Sequence, residues 1–264
     1  MRASGIDIGS RTVKLAIWED GEIILSRKAV SSHDPFNTAN QLIHGMDLGT
    51  VTATGYGRHL AKSKLGCPVI SEIKAFALGA RWFSKDCITI LDIGGQDTKA
   101  IALDEQGNLH KFEMNDKCAA GTGRFLEIMA TALGFTLDEF VKSAVSAKRA
   151  ENINSTCTVF AESEVISLLN QGASREEVAL GIHQAVINRS TSLLKRVVLP
   201  GQLLFAGGVA FNDCICKLLA EAMGRQIFVP ADPQIVGAVG AAIHAATHAE
   251  KSGSNPIFDH EESR

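Results

Sequence analysis

Two aspartates in matching surroundings carry the first chemical signal. Asp7 stands in Gly5-Ile6-Asp7-Ile8-Gly9 and Asp92 in Ile90-Leu91-Asp92-Ile93-Gly94, and each is followed seven residues on by a lysine, Lys14 or Lys99. The two aspartates lie 85 residues apart, as do Gly9 and Gly94 and as do the two lysines, so one unit occurs twice in register. Each copy runs apolar residues into Asp-Ile-Gly, turns on small or polar residues and leaves in a second apolar run, the pattern of a β-hairpin. Glycine at such a turn lets backbone N–H groups approach an anion, and an aspartate at the strand end is placed to hold a divalent cation directly or through water. One Asp-x-Gly alone is more often a tight turn. Its repetition points to two hairpins that grip the phosphates of one nucleotide from both sides.

A third element is Phe205-Ala206-Gly207-Gly208-Val209-Ala210, where a strand ends in paired glycines before a helix that begins near Asn212. Alone, such a pair is mostly a turn; beside two phosphate hairpins, its bare backbone offers a surface for an adenosine ring. Gln234 opens the small-residue helix 234–246 and is a candidate nucleotide contact, whereas Gly237, Ala238, Gly240, Ala241 and Ala242 read as helix-on-sheet packing.

Two of the six cysteines stand apart. Cys118 lies in Asn115-Asp116-Lys117-Cys118-Ala119-Ala120-Gly121-Thr122-Gly123 and Cys157 in Asn154-Ser155-Thr156-Cys157-Thr158, each upstream of a helix. A helix N-terminus supplies N–H donors and positive potential, which lower a thiol's pKa and stabilise an anionic centre such as an iron–sulfur cluster. Two thiols are half of the four-cysteine set that such a cluster takes, and a symmetric dimer supplies the other half. Cys67, Cys87, Cys214 and Cys216 read as structural thiols.

The elements that must position these residues alternate between strand and helix. After the first hairpin the sequence predicts a strand over 22–30, a helix over 35–46 with Asp34 as cap and Pro35 in its first turn, strands over 51–56 and 69–73, and a helix over 74–83. After the second hairpin come a strand over 109–114, helices over 124–133, 137–146, 160–171 and 175–198, a strand over 203–206, a helix over 213–223 and a strand over 227–230. The polar end of the chain from Lys251 is expected to fray or be disordered. With 264 residues, 45% of them hydrophobic, and a net charge of −3, the chain can bury a core and carries no basic footprint for nucleic acid. No apolar run reaches membrane-spanning length, and a cytoplasmic location without membrane association is expected.

The hairpins, the glycine pair and the stretches NDKCAAGTGRFLE and NSTCTVFAESEV closely resemble the ATP-dependent activators of 2-hydroxyacyl-CoA dehydratases, of the BadF/BadG/BcrA/BcrD type, relatives of the benzoyl-CoA reductase ATPase subunits. The resemblance runs from Ser4 to about Ala246. It implies the α/β fold shared by actin, heat-shock ATPases and sugar kinases (ASKHA), with an N-terminal ATPase half over 1–90, a C-terminal half over 91–246 holding a helical iron–sulfur insert at about 115–200, and a polar tail over 247–264. It further implies a homodimer with one [4Fe–4S] cluster between its subunits, ATP and Mg2+ as cofactors, and an electron passed to a dehydratase or related iron–sulfur reductase from ferredoxin or flavodoxin. By resemblance Cys118 and Cys157 are the cluster ligands. Gly9, Ser10, Arg11, Thr12, Val13 and Lys14 form one phosphate loop and Gly94, Gly95 and Gln96 the other, and Gly207, Gly208 and Gln234 take the nucleoside. Asp7 and Asp92 would organise metal and water, with Gln96 near the attacking water. Where members of the family carry Cys-His-Ala after Ile-Ser-Glu, this chain has Lys74-Ala75-Phe76-Ala77.

A small-molecule kinase of the same fold, acting on a sugar or acyl group, is the alternative. It would need a substrate base in the cleft and has no use for thiols before two helices. A non-catalytic nucleotide sensor would keep the glycines and tolerate loss of Asp7 or Asp92.

Overall fold

A computed structural model describes residues 1–154 and 157–253 and divides them into two compact units, one of 1–75 with the chain from Gly237 and one of Phe76–Val236. In the first unit an antiparallel meander of β1 (Arg2–Ile8), β2 (Thr12–Glu19) and β3 (Glu22–Val30) is extended by β4 (Thr50–Thr54), parallel to β1, in the order β3-β2-β1-β4. The chain reaches β4 through α1 (Pro35–Ile43), which Asp34 caps by accepting from Asn37 N. Helix α2 (Arg58–Leu65) follows, and the chain passes into the second unit within α3 (Glu72–Phe83).

The second unit repeats the plan. Strands β5 (Cys87–Ile93), β6 (Thr98–Leu103) and β7 (Leu109–Asn115) form the meander, β8 (Gln202–Ala206) adds in parallel to β5, and the short β9 (Ile227–Phe228) extends the order to β7-β6-β5-β8-β9. Where the first unit crosses over with α1, this one inserts α4 (Gly123–Ala132), α5 (Leu137–Ser146), α6 (Thr158–Asn170) and α7 (Arg175–Leu194); α8 (Asp213–Met223) and α9 (Val236–Gly253) complete the chain. Strands β1, β5 and β6 are buried almost throughout, as their near-continuous apolar runs require, while β3 and β7 carry charged residues on exposed edges.

Ile6, Ile8, Val13, Leu15 and Ile17 form the first core with Ala39 and Ile43 of α1. On β1, Gly5 is where the backbone of α9 comes closest: a Cβ there would stand 2.0 Å from Ala238 O and 2.3 Å from Ala242 N. The small residues of α9 are thus helix-on-sheet packing. In the second unit Leu91, Ile93, Ala100 and Phe205 of the sheet pack with Phe125, Met129, Phe140, Val178, Ile182 and Val186 of the inserted helices.

Several expectations need correction. Helix α2 was not anticipated, since among its residues Ala61 alone is buried and no apolar stripe marks it. The predicted strand 69–73 is a single bridge, Val69 to Ala53, because the chain turns into α3 at Glu72. Helix α1 ends at Ile43, before the left-handed Gly45, and α7 ends at Leu194 rather than 198. Helix α9 continues to Gly253, through the start of the tail expected at 247; residues 254–264 lie outside the described residues. Among the described residues no helix is long and apolar enough to cross a membrane.

Candidate functional site

In the first unit Asp7 and Lys14 face each other across β1 and β2, with Lys14 Nζ 3.0 Å from Asp7 Oδ2. Asp7 is buried, and its other oxygen lies against Gly55, the residue after β4, where a Cβ would come within 2.4 Å of Oδ1 and 2.6 Å of Ile8 O. Glycine is required there on two grounds, because φ is also +88°. The turn closes by Gly9 N donating to Thr12 O at 3.1 Å, which leaves Ser10 and Arg11 exposed while Val13 sends its side chain into the core. Val13 therefore has only its backbone to offer a phosphate.

The second unit builds the same site. Asp92 and Lys99 are cross-strand partners, 3.2 Å apart, and Gly94 N donates to Asp97 O at 2.9 Å. Gly207, after β8, has φ +88° and would bring a Cβ within 2.5 Å of Asp92 Oδ1 and 2.3 Å of Ile93 O, as Gly55 does for Asp7 and Ile8. Lys99 also donates to Asp97 at 2.6 Å, so one buried ammonium holds two carboxylates beside the turn. Asp97 and Gly55 are members that sequence reasoning missed. Asp97 stands where the first copy has Thr12, and a carboxylate in place of a hydroxyl at a repeated turn was a usable signal. Gln96 is exposed at the tip.

Gly207, Gly208 and Gln234 come together. Gly207 N donates to Pro233 O at 2.9 Å, and a Cβ on Gly208 would meet Gln234 Nε2 at 3.0 Å. A 3-10 turn, Gly208–Phe211, leads to Asn212, which caps α8 and donates to His183 Nε2 at 3.0 Å. His183 Nδ1 in turn donates to Ala179 O at 2.7 Å. Burial pushes this imidazole down to about 4, so it stays neutral at ordinary pH.

All six cysteines are free thiols. Cys118 and Cys157 are exposed, whereas Cys67, Cys87 and Cys214 are buried and Cys216 half-buried. Burial pushes Cys87 up to about 12 and Cys214 and Cys216 to about 11, keeping them protonated and inert. Cys157 is the N-cap residue of α6 and makes no side-chain capping bond. Cys118 stands five residues before α4. The first N–H groups of α4 are already used: Gly123 N donates to Gly94 O and Arg124 N to Gly95 O, both at 2.9 Å. Asn115 Nδ2 bonds to Cys118 O at 3.1 Å and Thr98 Oγ1 to Gly121 O at 2.9 Å, tying the Cys118 loop to β6 and β7. Among the described residues no three His, Cys, Asp or Glu side chains converge on a metal position.

Comparison with known proteins finds relatives of the whole chain. The model of the BadF/BadG/BcrA/BcrD ATPase family matches residues 4–245. The activator of lactoyl-CoA dehydratase from Anaerotignum propionicum is 41% identical over 95% of this chain and 100% of its own length. The activator of the 2-hydroxyisocaproyl-CoA dehydratase from Clostridium difficile, solved with bound ADPNP, is 38% identical, superposes with a TM-score of 0.88 and covers 100% of both chains. A ROK family glucokinase from Streptomyces griseus, 13% identical with a TM-score of 0.60 over 94% of this chain and 100% of its own, shares the fold.

Proposed function

The chain belongs to the BadF/BadG/BcrA/BcrD ATPase family, and on that premise we propose that it hydrolyses ATP to activate a 2-hydroxyacyl-CoA dehydratase or a related iron–sulfur reductase by driving an electron into it. The fold is that of actin, heat-shock ATPases and sugar kinases. The turns Gly9–Lys14 and Gly94–Gly95 would hold the phosphates through backbone N–H groups other than those of Gly9 and Gly94, which are bonded within the turns, with Gly207, Gly208 and Gln234 holding the nucleoside. Asp7 and Asp92 would organise Mg2+ and water, and Gln96 would orient the attacking water. Asp97 adds a second carboxylate on Lys99 beside Asp92. The kinase alternative has the fold in its favour and nothing more.

The donor set fits half of a [4Fe–4S] site: two exposed thiols per chain, four in an isologous pair. Val159 and Ile166, seven residues apart on α6 just after Cys157, are 68% and 50% exposed, and Phe160 beside them 68%. Such an apolar face supports a homodimer closed around both cysteines. When bound, the cluster would supply the low-potential electron, replenished by ferredoxin or flavodoxin.

One observation carries this reading: the second phosphate loop hydrogen-bonds directly to the first two residues of α4, five residues beyond Cys118. A change at Gly94–Gln96 therefore has a short packed route to the thiol loop. Iron analysis of anaerobically purified protein tests the reading. Roughly four irons per dimer are expected, the number set by the cluster type, with loss in Cys118→Ser and in Cys157→Ser and retention in Cys67→Ser and Cys214→Ser. A cluster that survives removal of Cys157 would overturn the ligand assignment.

A further inference from the structure

Arg189 lies on α7 where that helix passes the Cys118 loop. It lines one cavity of about 460 Å3 with Cys118, Asn188, Ser190 and Arg196. Its guanidinium sits over the ring of Phe125 from α4, 5.5 Å from the centroid. Its stem packs on the loop itself: at Gly121, where φ is +95°, a Cβ would stand 3.5 Å from Arg189 Cβ. Helix and loop thus hold the side chain from two sides, at the cavity that Cys118 also lines. Gly94 O and Gly95 O accept from the first two N–H groups of α4. Arg189 and Arg196 are the cations that line this cavity, and Arg189 is the more buried of the two.

Resting on the cluster reading above, we propose that Arg189 is a positioning residue whose fixed cation behind the Cys118 ligand stabilises the reduced [4Fe–4S] centre and raises its reduction potential. Taking one electron from a one-electron donor adds one negative charge and breaks no bond. Arg189 remains protonated throughout and offsets that charge from a half-buried position, where solvent and salt screen less than at the surface. Charge and hydrogen bonding around the ligands are the levers by which a protein tunes such a centre. Arg196 lines the same cavity but is 65% exposed and pairs with Glu113 at 3.6 Å, so solvent blunts its effect.

The test is an EPR-monitored redox titration, with iron content measured on the same samples, of the wild type, Arg189→Gln, Arg189→Lys and Arg196→Gln. At equal iron content, Arg189→Gln is expected to lower the reduction equilibrium constant about tenfold, 59 mV for one electron. Arg189→Lys should recover most of that loss, and Arg196→Gln should stay near the wild type. Equal potentials in wild type and Arg189→Gln would overturn the proposal. Iron-free wild-type protein would instead overturn the cluster reading on which it rests. If Arg189→Gln fails to retain iron, the lysine variant decides: an iron-loaded Arg189→Lys within about threefold of the wild-type constant supports the charge role. Loss of iron from that variant too would assign Arg189 to packing on Phe125 and overturn the proposal.

Discussion

Lys99 is the residue on which the second hairpin turns. Its side chain, 3% exposed, places the ammonium 3.2 Å from Asp92 and 2.6 Å from Asp97, beside the turn closed by Gly94 and Asp97. Asp92→Asn keeps the shape and removes the charge. It should therefore leave nucleotide affinity within about threefold while lowering ATP turnover roughly a hundredfold or more, the scale of losing one group that stabilises developing charge. Steady-state hydrolysis beside nucleotide titration separates the two, and full turnover in Asp92→Asn would remove Asp92 from the catalytic set. His183 makes a second prediction at this scale. Its folded pKa of about 4 lies below the unfolded 6.5, so the unfolded chain binds the extra proton first, and stability present above pH 6.5 is lost as pH falls toward 4. Denaturant titrations at pH 7.5 and 4.5 should show a loss of about 2–3 kcal/mol in the wild type beyond that in His183→Gln. Equal losses would mean that His183 is not held neutral. Asp7, Asp92 and the lysines were legible in the sequence because they repeat. Gly55 was not, because its counterpart Gly207 follows a longer crossover that breaks the constant offset.

At the level of elements, the strands were legible where apolar runs ended in glycine turns, and the amphipathic helices where a cap preceded an apolar stripe. Helix α2 lacked the stripe, and the run after Pro68 looked like a strand because a short apolar segment does not declare its period. Nor could periodicity show that α9, last in sequence, packs against β1, the first strand. Gly5 makes that packing testable. With a Cβ only 2.0 Å from Ala238 O, Gly5→Val should lower stability by about 3 kcal/mol or more, since backbone atoms of β1 and α9 cannot both give way. A variant as stable as the wild type in denaturant titration would show that α9 does not sit where it is described. The bonds from Gly123 and Arg124 to Gly94 and Gly95 likewise tie α4 to the turn of the second hairpin, which no spacing in the sequence announced.

For the molecule as a whole, the duplicated sheet supplies two matching glycine turns, and the segment inserted into the second copy carries two exposed thiols ahead of helices α4 and α6. The two cysteines were legible as unusual because each precedes a helix in a small-residue or polar stretch. That Cys157 is the N-cap residue of its helix while Cys118 stands five residues before α4, at a cavity that Arg189 also lines, needed the fold. A ligand shifts an equilibrium only by its unequal affinity for two states, so coupling through α4 requires that ATP and ADP bind differently to the two arrangements of the thiol loop. The most direct measurement is the reduction potential of the iron-loaded dimer with ADP and with a non-hydrolysable ATP analogue. The two potentials should differ by at least about 59 mV, a tenfold change in the one-electron equilibrium. Identical potentials in the two nucleotide states, with ATP turnover equally indifferent to cluster oxidation state, would contradict the coupling.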